Sequence, residues 1–123
     1  FNALDVQLNM GLSIGSSFGA EKASMEKNIA VIGDSTFLHS GLTALINIFS
    51  NKSDGTVIIL DNGGTAMTGL QPIPKVDFVK LLKAIGIKNL IKMNSKSDIK
   101  NIIEKEVNKK ELSVIIYEEL CLL

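Results

Sequence analysis

Arginine and tryptophan are absent from the 123 residues, and cysteine, histidine and tyrosine occur once each. Each shortage closes off a class of function. All 13 basic side chains are lysine, balanced by 13 Asp and Glu at zero formal net charge, which leaves no basic footprint for nucleic acid. Five Phe and one Tyr make no stacking platform for bases. The lone Cys121 forms no internal disulfide and no multi-thiolate metal site, and suits a reducing, cytoplasmic setting. No apolar run approaches the roughly 20 residues that cross a bilayer, and no signal-peptide pattern opens the chain. Nucleic acid and membrane are therefore not among the expected partners. With no arginine, any phosphate must be held by a metal, by backbone N–H groups or by lysine.

What is present is a 46% hydrophobic composition in a length that suits one packed core, so residues 1–123 read as a single domain. Phe1 in place of an initiator methionine and the apolar close Leu120-Cys121-Leu122-Leu123 read as cuts from a longer polypeptide. Residues 3–8 read as the end of a strand. Residues 11–23 follow as a helix, with Gly11, Gly15 and Gly19 lining one stripe open to close backbone approach. Residues 28–32 and 56–60 read as buried strands without polar alternation, which calls for cover on both faces, and a helix over 37–49 joins them. A helix over 76–85 has Asp77 as cap and Gly86 as stop; Asn89–Met93 is a strand. Ser97 caps a helix carrying Ile99, Ile102, Ile103 and Val107 on one stripe, and residues 112–117 form the last strand. The lysine-rich stretch 96–110 reads as a solvated helix face. Strands alternating with helices predict an α/β fold: a three-layer open parallel sheet with helices on both faces.

The chemistry collects at two strand ends. IAVIGDS delivers Gly33-Asp34-Ser35 and TVIILDNGG delivers Asp61-Asn62-Gly63-Gly64. Asp34 and Asn62 lie 28 positions apart, room for one crossover helix between neighbouring parallel strands, so both side chains reach the same sheet edge. Magnesium takes six oxygens and usually only one or two carboxylates, with phosphate and water completing its shell. Asp34, the Asn62 amide and one loop carbonyl supply half that set. Ser35 and Thr36 open the next helix, where N–H groups are free to face phosphate. Together these features predict a magnesium diphosphate site. Taken alone, Asp34 serves equally well as a helix cap, and Asn62-Gly63 as a tight turn. His39 sits one turn into the helix and reads as packing or solvent-facing as readily as functional. Lys75 reads as a solvated residue ahead of a helix, and Cys121 as a buried, inert thiol.

The segments GDSTFLHSG, VIILDN and TAMTGLQP, with MGLSIGSSFGAEKA upstream, resemble the thiamine-diphosphate-binding module of the indolepyruvate:ferredoxin oxidoreductase alpha subunit, in the 2-oxoacid:ferredoxin oxidoreductase family. The likeness is close over about the first 75 residues and rests beyond them on the α/β rhythm alone. It implies that residues 1–123 are a C-terminal cofactor-binding fragment. It further implies Asp34, Asn62 and the Gly64 carbonyl as Mg2+ ligands, with Gly33, Ser35 and Thr36 at the diphosphate. Met10 and Gly11 match the turn at the aminopyrimidine, and Thr65, Ala66, Met67 and Thr68 the loop over the cofactor. The implied reaction is oxidative decarboxylation of an aryl-2-oxoacid such as indolepyruvate, with coenzyme A taking the acyl group and ferredoxin the electrons. A pyrimidine-binding module, a second subunit and [4Fe-4S] clusters are implied outside these residues, since one cysteine cannot bind a four-thiolate cluster.

Three other readings stay open at this point. Another thiamine-diphosphate enzyme, a 2-oxoacid decarboxylase or a pyruvate-type ferredoxin oxidoreductase, shares the module. A serine hydrolase would use Ser35 as nucleophile, but its base would have to be His39, four positions on, because no histidine follows. A noncatalytic flavodoxin-like binding module has the same architecture, since fold alone does not set function.

Overall fold

The computed structural model describes residues 4–23, 25 and 28–120. Cys121 and the residues before Leu4 lie outside them. Helix α1 (Ser13–Lys22) leads into strand β1 (Ile29–Gly33). A continuous helical run follows: α2 (Asp34–Thr36), a π-helical turn (Phe37–Gly41) and α3 (Leu42–Ser50). Then come β2 (Thr56–Asp61), a small hairpin of β3 (Gly64–Thr65) and β4 (Gln71–Pro72), α4 (Phe78–Ile85), β5 (Asn89–Met93), α5 (Ile99–Val107) and β6 (Ser113–Glu118). The main sheet is parallel throughout, in the order β1-β2-β6-β5. Gly33, Leu60, Tyr117 and Met93 align across it in one row. The residues just beyond that row, Asp34, Asp61, Glu118 and Asn94, therefore share the carboxyl edge where open α/β sheets bind ligands.

Alternation along the strands sends successive side chains to opposite faces. One face carries Ala30, Ile32, Val57, Ile59, Val114 and Ile116, and meets Ile14 of α1, Leu45 and Ile48 of α3, and Phe78 and Leu82 of α4. Phe37 and Phe78 lock this layer edge to face, with ring centroids 5.8 Å apart. Gly41 lets the helical run lie close to β1, since a Cβ there would stand 2.6 Å from Ile32 Cδ1. On the other face a smaller cluster, Ile58, Ile115 and Met93, is covered by Ile99, Ile102 and Ile103 of α5.

Helices on both faces of a parallel sheet match the fold read from the sequence, but their cover is unequal. β1 does not have two covered faces: Ile29 and Val31 are 42% and 39% exposed, and Leu60 of β2 is 40% exposed. β1 is an edge strand, and the cluster packed with α5 on this face draws its strand residues from β2, β5 and β6. Residues 4–8 form no strand, because their alternating apolar side chains Leu4, Val6 and Leu8 face solvent with no neighbouring ladder. The expected cap Asp77 accepts the Lys80 N–H and Gly86 ends α4 with φ 106°. For α5 the cap is Asp98, which accepts the Asn101 N–H; Ser97 instead bonds the Asn94 N–H in the preceding turn. Of the glycine stripe only Gly11 makes a close approach, since a Cβ there would overlap the Ser40 hydroxyl, whereas Gly15 and Gly19 face open space.

Candidate cofactor site

Asp34 is buried at the tip of β1, where Gly33 is extended and the helical run begins. A buried carboxylate needs compensating partners, and all of its recorded donors are backbone N–H groups. Oδ1 accepts from Ser35 at 2.6 Å, and Oδ2 accepts from Gly63 at 2.9 Å and Asn62 at 3.2 Å. One side chain thus ties the end of β1 to the turn after β2. The Asn62 amide oxygen accepts the Gly64 N–H at 3.2 Å, and the Thr65 hydroxyl donates to the Ser35 hydroxyl at 3.0 Å. Gly63, with φ 79°, makes this turn in the left-handed region that glycine occupies freely.

Six residues marked out in the sequence, Asp34, Ser35, Asn62, Gly63, Gly64 and Thr65, therefore meet in one hydrogen-bonded group. Thr36 and Gly11 stand beside it: the Thr36 carbonyl accepts the Ser40 hydroxyl at 3.2 Å, and a Cβ on Gly11 would lie 3.8 Å from the Thr36 methyl. Met10 is exposed. Ala66, Met67 and Thr68 form a 3-10 turn in the β3–β4 hairpin, with Met67 81% exposed and the Thr68 hydroxyl bonded to Gln71. His39 lies exposed on the π-helical turn, and the hydroxyl of Ser35 has Thr65 as its recorded partner.

Sequence reasoning assigned no role to Asp61. Burial raises its carboxyl pKa above the usual range, and the negative charges of Asp34 and then Glu118 push the same way. The visible signal was a second acid directly ahead of Asn62. A cavity of about 450 Å³ opens beside the group, lined by Asp61, Gly63, Asn94, Lys96, Glu118 and Glu119. Asp34 does not line it, and its three carboxylates make it a poor host for a diphosphate. Asp34 and Asn62 bring one buried carboxylate and one amide oxygen to this edge, hard donors of the kind magnesium takes. Among the described residues no group of three or more His, Cys, Asp or Glu side chains is placed to hold a metal ion. The described residues also contain no helix long and apolar enough to cross a membrane.

Comparison with known proteins gives the same reading of the fold. Over its whole length the chain is 32% identical to the indolepyruvate oxidoreductase subunit IorA of Methanothermobacter thermautotrophicus, 22% of whose length it spans. Over 60% of the chain it is 45% identical to the subunit IorA of Methanothermobacter marburgensis, covering 12% of that protein. Among solved structures, the thiamine diphosphate-dependent 4-hydroxybenzoylformate decarboxylase of Rhodococcus jostii RHA1 superposes on 90% of the chain and 23% of its own, with a TM-score of 0.67 at 24% identity. The chain thus spans about a fifth of the first of these relatives. Residues 3–117 match the family described as thiamine pyrophosphate enzyme, C-terminal TPP binding domain, and the chain belongs to that family.

Proposed function

We propose that this chain is the thiamine-diphosphate-binding module of a longer 2-oxoacid:ferredoxin oxidoreductase subunit, and that Mg2+ links the cofactor to it. The observation that carries the proposal is the Asp34 carboxylate, which bridges the end of β1 to the Asn62-Gly63 turn after β2. Asp34, Asn62 and the Gly64 carbonyl hold the metal; Gly33, Ser35, Thr36 and Thr65 face the diphosphate. Met10 and Gly11 lie toward the aminopyrimidine, and Ala66, Met67 and Thr68 belong to the covering loop.

Bound there, thiamine diphosphate would supply a nucleophilic carbon and, in its cationic thiazolium ring, an electron sink for decarboxylation of a 2-oxoacid. The residues of this chain would fix and orient it: a single carboxylate, Asp34, draws the metal with less repulsion of the anion than two would give, and N–H groups and hydroxyls take the phosphoryl oxygens without arginine. Similarity to the IorA subunits supports an aryl pyruvate, indolepyruvate first, as substrate, with coenzyme A and ferredoxin as acceptors. The relatives' greater length accommodates a pyrimidine-binding module and [4Fe-4S] clusters, and the assembled enzyme, with its second subunit, is cytoplasmic.

Indolepyruvate-dependent, coenzyme A-dependent reduction of ferredoxin by the full-length protein with its partner subunit tests this. Asp34→Ala is expected to lower the rate by roughly two orders of magnitude or more, since even second-sphere changes at metal sites cost 10–100-fold. Undiminished turnover in that variant refutes the proposal. Aldehyde release without ferredoxin reduction assigns the module to a decarboxylase instead.

A further inference from the structure

We infer that Gln71 is a positioning residue, forming with Thr68 a brace that shapes the 64–72 hairpin and holds Thr65 against Ser35 at the diphosphate end of the site. The inference rests on the cofactor reading above. β3 and β4 pair over only two positions, Gly64 with Pro72 and Thr65 with Gln71. So short a ladder is marginal in water. Its connection is also unfavourable: Gly69 and Leu70 both take positive φ, 111° and 57°, and Leu70 is not glycine. Two reciprocal side-chain bonds offset this. The Thr68 hydroxyl donates to Gln71 Oε1 at 2.6 Å, and Gln71 Nε2 donates to the Thr68 carbonyl at 2.7 Å.

The braced residue faces the site residue directly. Gln71 is the cross-strand partner of Thr65, and the Thr65 hydroxyl is the group that reaches Ser35. None of the hydrogen bonds recorded for Gln71 or Thr68 goes to Asp34, Ser35 or Asn62. Thr68 therefore acts through the hairpin, with its hydroxyl engaged there, while Met67 at the apex stays exposed. A hairpin already held in this shape spares the cofactor the cost of ordering it.

The test is calorimetric titration of the full-length protein with thiamine diphosphate in Mg2+, alongside steady-state kinetics. Gln71→Ala and Thr68→Val should each weaken binding about tenfold, the size expected for losing one or two such bonds. The double variant should be no weaker than Gln71→Ala, which already removes both bonds, while Thr68→Val removes only the hydroxyl one. In Gln71→Ala the loss should fall on the cofactor KM, with kcat at saturating cofactor within about twofold of the parent and the apoprotein melting point unchanged. Parental affinity in Gln71→Ala while Asp34→Ala fails to bind overturns the brace and leaves the cofactor reading standing. Additive losses in the double variant also overturn the brace. Parental affinity in Asp34→Ala overturns the cofactor reading itself, and the brace with it.

Discussion

Two buried acids at opposite ends of the sheet are stabilised in different ways. Asp34 accepts from three backbone N–H groups in two segments. Glu106, on the inner side of α5, accepts from Lys109 and Asn89 at 2.7 Å each and from Ser113 at 3.0 Å. Burial alone would raise the Glu106 pKa, but these three bonds outweigh it and hold the carboxyl below its ordinary 4.5. A carboxylate lowered on folding adds stability that is fully present above its unfolded pKa and is lost as pH falls through the folded value. Urea denaturation should therefore show a loss on acidification below about pH 4.5 that Glu106→Gln largely removes. At neutral pH, Glu106→Ala should cost about 1–3 kcal/mol, because it removes the acceptor shared by Lys109, Asn89 and Ser113 while their bonds to one another remain. Asp34 and Asn62 were legible in the sequence because their spacing and strand ends point to one edge. The Glu106 group was not, because Asn89, Glu106 and Ser113 come from three elements and share no motif; only the sheet register brings Asn89 beside Ser113.

Among the elements, the helix after β1 departs most from a sequence reading. Expected to begin at Phe37, it starts at Asp34 and passes through a π-helical turn where Gly41 sits against Ile32 and Phe37. Periodicity gives little sign of such a turn, since a single π-helical turn shifts the apolar phase by about one position and the segments on either side are too short to reveal it. Helix α4 was legible at both ends, because cap and stop chemistry is local. Gly86→Ala should destabilise the fold by about 1 kcal/mol or more, through its positive φ and a Cβ 3.0 Å from the Phe49 ring. The uneven cover of the sheet can be measured the same way. Ile115→Ala, fully buried under α5, should cost about 2–5 kcal/mol, whereas Val31→Ala on the open stretch of β1 should cost well under 1 kcal/mol. Equal losses at the two positions would mean that β1 is covered on both sides after all.

Across the whole molecule, the helices that lean on the sheet and the site that would hold the cofactor occupy separate ground. The apolar layers run through the middle of the sheet, the Glu106 group sits at its amino end, and the Asp34 group at its carboxyl end. Strand and helix alternation made the parallel α/β architecture readable in advance. The side on which each helix lies was not readable, because β1 and β2 both present near-continuous apolar runs. The central claim is that side chains from two neighbouring strand ends grip one divalent ion. Crystals of the protein grown with thiamine diphosphate and Mn2+ in place of Mg2+ test it most directly, through the anomalous signal of the metal. An ion at roughly 2.1 Å from both an Asp34 oxygen and the Asn62 amide oxygen is the expected result, and an ion bound elsewhere, or cofactor bound with no ion at Asp34, would contradict it.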